Sequence, residues 1–430
     1  MARPNVLIIL SDQMKATATS LYGNRESPTP HLETLARRGV RFEQAHTPCP
    51  LCVPARVSMM TGQYPHNNGS RRNETLLEAG REHVFRSWKE AGYTTGLIGK
   101  NHCFQKADRE TCFDVWCEIS HYGIPAGSGT KGMEWWRDPG EIRKAHAVRR
   151  EMPWQTGNIS YAVTDYPLED YSTGLIAGQT ERFLERFGGD PFALWVSFPD
   201  PHTPWEDPRE YLEQIDVEGI TPPPWRSEEF GPGAPERNRV LHEILAVDKD
   251  PPEEVRMVIA VYYAMIRFID DAVGKIMASL DRLGLRENTI VVFASDHGDL
   301  MGEHMMVNKG GLFYDALTRV PLLFSWPGYI PEGVDGDGMA NLVDIAPTLL
   351  SLQGLEVPRG MDGRPLATVS GGGAQEAVFS EYGAGGPPFT REDLRRLDRS
   401  TGDPALMDSL QAREAEGRRK MVRTGEWKYV

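Results

Sequence analysis

Apolar residues fall along the chain in short blocks, not long runs. Residues 6–10, 94–98, 192–198, 289–294 and 320–324 are short and mostly apolar, and Gly, Pro or Asp bounds each block. Near-continuous apolarity over such lengths predicts strands covered on both faces, as in a largely parallel sheet. Between the blocks the period changes to that of a helix. Thr29-Pro30 opens a helix that stops at Gly39, and residues 172–187 and 253–283 are amphipathic at helical spacing. This alternation predicts an α/β layered domain.

Two stretches break the rhythm. Residues 104–160 are rich in Trp and polar side chains without clear periodicity, and residues 199–250 carry many prolines. Loops this long are expected to be lids or binding loops, or else disordered. In the first of them Trp116, Tyr122, Trp135, Trp136 and Trp154 either wall a pocket or simply pack the insert, and packing is the expectation. A boundary is expected near 355–376, where Gly371-Gly372-Gly373 reads as a flexible connection. Strand-like pieces follow at 377–382 and 420–430, the last reading as a hairpin interrupted in its second strand. The expectation is therefore a main domain over 1–355 and a smaller, incomplete α+β part over 356–430.

Composition narrows the class. The 430 residues are 40% apolar and 25% charged, which suits a globular chain with ample core and excludes a disordered or fibrous one. The net charge of −14 disfavours a nucleic-acid partner, which would want a basic face. The apolar blocks are far shorter than the ~20 residues a membrane helix needs. Met1-Ala2-Arg3-Pro4 leads straight into the first block without a signal-peptide pattern, so a cytoplasmic protein is expected. Five cysteines, Cys49, Cys52, Cys103, Cys112 and Cys117, argue against a disulfide framework.

Polar residues gather just beyond the blocks. Asp12-Gln13, Lys100 with His102, His202, and Asp296-His297 each follow one. In an α/β sheet, ligands bind outside the carboxyl ends of the strands. Asp12, Gln13, Asp296 and His297 offer oxygen and imidazole donors for one divalent cation. Lys100, His102, His202 and Lys309 offer donors to an anion, and the combination suits a phosphate or sulfate ester. Pro54 places Cys52 near a helix N-terminus, where negative charge is favoured and Arg56 is close. Cys49 and Cys52 also have the spacing of a thiol-redox pair, which leaves that chemistry as an alternative. Cys103, Cys112 and Cys117 with His121 have irregular spacing for a zinc site.

Cys52-x-Pro54-Ala55-Arg56 followed by Thr61-Gly62 resembles the signature of the type I sulfatases, within the alkaline-phosphatase-like superfamily. Other segments extend the resemblance over most of the chain: 5–13, Gly99-Lys100-Asn101-His102, 197–202, 295–299 with Gly302-Glu303-His304, and Lys309 before Arg319-Val320-Pro321. The resemblance implies an alkaline-phosphatase-like α/β fold and hydrolysis of a small-molecule sulfate ester. It implies one divalent cation, Ca2+ or Mn2+, held by Asp12, Gln13, residue 52, Asp296 and His297. It also implies that a formylglycine-generating enzyme converts Cys52 to formylglycine, whose hydrate attacks the ester.

By the same resemblance Arg56 stabilises that hydrate, and Lys100 and Lys309 bind substrate oxygens. His102 removes the proton when the covalent intermediate collapses, and His202 protonates the departing alcohol. Asn73 reaches the substrate or sits in a solvated turn, and His304 supports the metal segment. Asp12-Gln13 with Asp296-His297 replaces the more oxygen-rich set of many sulfatases. It resembles the phosphonate monoester hydrolase and choline-sulfatase-like branches, which keeps phosphonate or phosphate ester hydrolysis open. A non-catalytic anion-binding relative is a further alternative, and completion of the C-terminal strands by a second subunit leaves room for a homo-oligomer.

Overall fold

The computed structural model describes residues 3–430 except 153, 154, 156, 157, 372, 388, 389, 391 and 393–416. Trp154 and Gly372 lie outside the described residues. The architecture is α/β, with a nine-stranded central sheet flanked by helices and a small C-terminal sheet. In chain order the central strands are β1 (Asn5–Ser11), β2 (Val40–Arg41), β3 (Thr94–Gly99), β4 (Val115–Glu118), β5 (Thr130–Lys131), β6 (Phe192–Ser197), β7 (Thr289–Ser295), β8 (Leu322–Ser325) and β9 (Val334–Asp335). Their spatial order is β9-β2-β8-β7-β1-β6-β3-β4-β5. The inner five, β7 to β4, are parallel.

Parallel neighbours need crossovers, and helices over the two faces supply them. The principal helices are α1 (Pro30–Arg37), α2 (Cys52–Thr61), α3 (Ser172–Phe187), α4 (Pro252–Arg282) and α5 (Ile345–Leu352). The period of two in β1 divides the core. Leu7 and Ile9 pack with residues of α1, α3 and α4, while Val6, Ile8 and Leu10 pack with those of α2 and α5. Each such side chain contributes about 1.5–3 kcal/mol by leaving water.

Two expectations are corrected. The block at 320–324 forms β8, but β8 runs antiparallel to β7. An antiparallel neighbour needs no crossover helix, so the intervening loop stays free at the sheet's edge. Residues 104–160 are not loop alone: β4 and β5 come from this insert, as does a helix at Pro139–Ala145. Trp116, Trp135 and Trp136 follow the packing expectation, with Trp116 in the core and Trp136 Nε1 donating to Leu175 O of α3 at 3.2 Å, whereas Tyr122 is exposed. The 199–250 stretch likewise holds a helix at Glu236–Leu245.

The C-terminal strands β10 (Ala377–Tyr382), β11 (Arg419–Thr424) and β12 (Lys428–Tyr429) form an antiparallel sheet. Tyr382 and Met421 pack there with Cys49, Leu51 and Phe313, beneath the approach to α2. No helix among the described residues is long and apolar enough to cross a membrane.

His146 locks the insert to α3. Its Nδ1 donates to Ile142 O at 2.8 Å, and its Nε2 meets Ser172 Oγ at 2.7 Å. Burial, aided by the Arg149 charge, holds the ring neutral with a pKa down at about 4. A histidine depressed in the folded state contributes stability above its unfolded pKa of about 6.5 and loses it as pH falls toward the folded value. Unfolding free energy should therefore fall between pH 6.5 and about 4. Denaturant titrations of His146→Gln across that window should show a shallower slope than wild type, by up to about 1.4 kcal/mol per pH unit.

Candidate active site

The register of the parallel strands brings the polar residues together. Ser11 lies beside Ser295, and Gly99 beside Ser197, so the chain leaves β1, β7, β3 and β6 on one edge. The next residues are Asp12, Asp296, Lys100 and the segment leading to His202. Gly99 makes the exit from β3 possible: its φ is +111°, and a Cβ there would lie 2.0 Å from Ser197 O. Gln13 and His102 hold left-handed φ values of 69° and 43°, backbone strain of the kind found where site geometry is over-determined.

Cys52 is the first residue of α2, whose ten residues are all buried. The ligand atoms of Asp12, Cys52, Asp296 and His297 lie within 4.8 Å of one another. Cys52 Sγ is 3.2 Å from His297 Nε2 and 3.6 Å from Asp12 Oδ1. His297 Nδ1 donates to Gly298 O at 2.9 Å, which leaves the Nε2 lone pair facing the cluster. Two carboxylates, an imidazole nitrogen and residue 52 form a donor set fit for one divalent cation. Gln13 is beside them, but its amide oxygen accepts from Lys309 Nζ and its amide nitrogen donates to Asp299.

Arg56 orders the carboxylates. Its Nε donates to Asp296 Oδ2 at 2.8 Å and its Nη2 to Asp12 Oδ2 at 2.9 Å. Its Nη1 donates to Ser197 Oγ at 2.7 Å and Lys100 O at 3.2 Å. Each carboxylate thus gives one oxygen to the guanidinium and turns the other toward Cys52 and His297. Arg56 acts on residue 52 through these carboxylates. Burial alone would raise the Asp12 pKa, but Lys100 and Arg56 hold it well below the usual carboxylate range. Burial, reinforced by Asp12, pushes the Cys52 thiol up. That is the reverse of what thiol-disulfide exchange wants. None of the five cysteines forms a disulfide, all are buried, and Cys49 packs in the C-terminal cluster.

The cations flank this cluster. Lys100 Nζ donates to Asp12 Oδ2 and, at 2.7 Å, to His121 Nε2. Lys309 Nζ donates to His202 Nε2 at 2.6 Å. Burial and the nearby ammonium groups push His202, His121 and His102 well below the ordinary imidazole value. Burial opposes the Lys309 charge, yet Cys52, Asp12, Asp296 and Asp299 raise its pKa. Asn73 Oδ1 accepts from Val53 N at 3.2 Å, at the head of α2 beside Cys52. His304 stands apart, bonded to Glu229 at 2.9 Å and stacked on Tyr314.

His121 was not placed here by sequence reasoning, which set it against Cys103, Cys112 and Cys117. Those cysteines do not gather round it; Cys112 instead neighbours His83 and Asp108. The available signal was positional. His121 follows β4 at the same sheet edge as the others, but β4 was hidden in an insert read as irregular.

Comparisons with known proteins agree with this geometry. The Sulfatase family profile matches residues 4–355. A choline-sulfatase of Rhizobium meliloti is 31% identical over 399 residues, covering 89% of this chain and 74% of its own. An arylsulfatase of Clostridium perfringens is 27% identical over 383 residues, covering 85% and 78%. Among solved structures, a phosphonate monoester hydrolase from Silicibacter pomeroyi superposes with a TM-score of 0.75 at 21% identity. That alignment covers 99% of this chain and 86% of the other.

Removing the guanidinium would leave two buried carboxylates without their shared partner. Arg56→Ala should lower unfolding free energy by about 3–5 kcal/mol, read from denaturant titration of the metal-free protein.

Proposed function

The chain belongs to the sulfatase family, and from that premise we propose that it hydrolyses a small-molecule sulfate ester with a formylglycine nucleophile made from Cys52. The observation that carries this reading is the seat of Cys52. It stands at the head of a buried helix, against Asp12, Asp296 and His297, with Lys100 bonded to Asp12 and Lys309 to the adjoining Gln13. Such a seat suits a group that must attack an anionic ester at its sulfur.

Asp12, Asp296, His297 and residue 52, with Gln13 beside them, would hold one divalent cation, Ca2+ or Mn2+; bound there it supplies Lewis-acid stabilisation of charge on the ester oxygens. Arg56 keeps both carboxylates aimed. Lys100, Lys309, His202 and Asn73 line the substrate side and orient the ester. A hydroxyl of the hydrated residue 52 gives its proton to Asp12 Oδ1, the acceptor that faces Cys52 Sγ, and forms the new S–O bond as the S–O bond to the alcohol breaks. The departing alkoxide takes a proton from the Lys309–His202 pair. His202 Nδ1 donates to Thr203 O and its Nε2 accepts from Lys309, so that proton starts on Lys309. His102, held neutral, then accepts the proton of the second hydroxyl, the C=O bond reforms and sulfate leaves. The catalytic unit is residues 1–355, with 356–430 a smaller C-terminal part.

The imidazole of His297 in the metal set favours a second reading, phosphonate monoester hydrolysis on the same groups. Turnover of an aryl sulfate and of phenylphosphonate should separate the two. The sulfatase reading expects the sulfate to be preferred; strong phosphonate turnover with no sulfate turnover would sink it.

The nucleophile has its own test. Protein made alongside a formylglycine-generating enzyme should yield a tryptic peptide of residues 42–56 that is lighter by about 18 Da. An unchanged thiol mass from a competent maturation system would remove the nucleophile, and the non-catalytic binding alternative would move ahead.

A further inference from the structure

Four side chains on the substrate side repeat one arrangement twice. Lys100 Nζ donates to Asp12 and to His121 Nε2; Lys309 Nζ donates to Gln13 and to His202 Nε2. Asp12 and Gln13 are consecutive residues. The two imidazoles stack on each other, with ring centroids 4.0 Å apart and planes 24° from parallel. His121 therefore stands to Lys100 as His202 stands to Lys309.

The tautomers follow from the donors. An ammonium has three N–H donors and no acceptor, so each imidazole must accept at Nε2 and carry its proton on Nδ1. His202 Nδ1–H is satisfied by Thr203 O. His121 Nδ1 has no partner among the described residues, although the residue is only 7% exposed. A buried N–H without an acceptor costs free energy that a bound group can recover. One anchor fixes both rings: Arg149 donates to His121 O at 3.4 Å and to Asp200, two residues before His202, at 2.6 Å.

We infer that His121 is both a positioning residue for Lys100 and a binding residue that donates its Nδ1–H to an oxygen of the bound anionic ester. The inference rests on the ester-hydrolase reading. His121 Nε2 takes one Lys100 N–H and Asp12 takes another, which leaves the third aimed by exclusion at the substrate. The neutral ring adds a directional donor where a third full charge would bind the product sulfate too tightly.

Two substitutions divide the roles. In His121→Gln the amide reaches the Nε2 position and can still accept from Lys100, but nothing replaces Nδ1–H. In His121→Asn the amide reproduces the Nδ1 donor and releases Lys100. Both are made with matured, metal-loaded protein, and the 42–56 peptide mass and metal content are checked in each. The probe is inorganic sulfate, its Kd read by calorimetry, alongside kcat on an aryl sulfate.

His121→Gln should weaken sulfate binding about tenfold while kcat stays within about threefold of wild type. His121→Asn should hold sulfate affinity within about threefold and lose about tenfold or more in kcat. Variants that match each other in both readouts, or that show the reverse pattern, overturn the inference. A wild-type protein that turns over neither aryl sulfate nor phenylphosphonate would defeat the proposed function. The sulfate affinities of the two variants would still decide whether Nδ1 binds the anion.

Discussion

The site depends on one buried cation held between two carboxylates. Arg56 is fully buried, and its guanidinium spans Asp12 and Asp296, which leave neighbouring strands of the sheet. Neither carboxylate could be kept in this buried crevice alone, since the cost of stripping water from an unpaired ion is several kcal/mol. The bidentate fork sets their spacing and decides which oxygen each turns toward residue 52. A lysine at position 56 would supply the charge without the fork.

That ion cluster dictates the state of everything around it. Two lysines packed beside the carboxylates leave no place for further positive charge, so the nearby histidines are neutral rings with one donor and one acceptor each. The neutral rings of His121 and His202 each accept from a lysine ammonium. The Nε2 lone pair of His297, which faces Cys52 and the two carboxylates, is set in the same way, by a backbone carbonyl on the far side of the ring.

Much of this was legible in the chain itself. The five apolar blocks all became strands of the central sheet, and the segments after them supplied Asp12, Lys100, His202, Asp296 and His297 at one edge. Residues 172–187 formed a helix with those same bounds. Legibility failed where the signal is weak. β4 is four residues long, and its neighbour β5 has only two, so neither shows a period. With β4 unseen, His121 had no strand end to follow. The direction of β8 was also out of reach, because apolarity reports burial and not polarity of pairing. The double use of Gln13, and of Arg56 as a bridge, depends on distances between segments that no spacing in the chain encodes.

The burial of Cys52 sets a timetable. The residue is 2% exposed, and the ring set against its sulfur, that of His297, comes from far along the chain; Phe313, Tyr382 and Met421 bury Cys49 and Leu51 just before it. If Cys52 is matured to formylglycine as proposed, the modifying enzyme can reach the thiol only while that enclosure is missing. At a synthesis rate of about 5–20 residues per second, the chain between position 52 and position 297 takes roughly 10–50 s to emerge. Maturation and folding therefore run as a race. Late-closing elements lengthen the window, and any change that hastened the docking of β7 against β1 would shorten it.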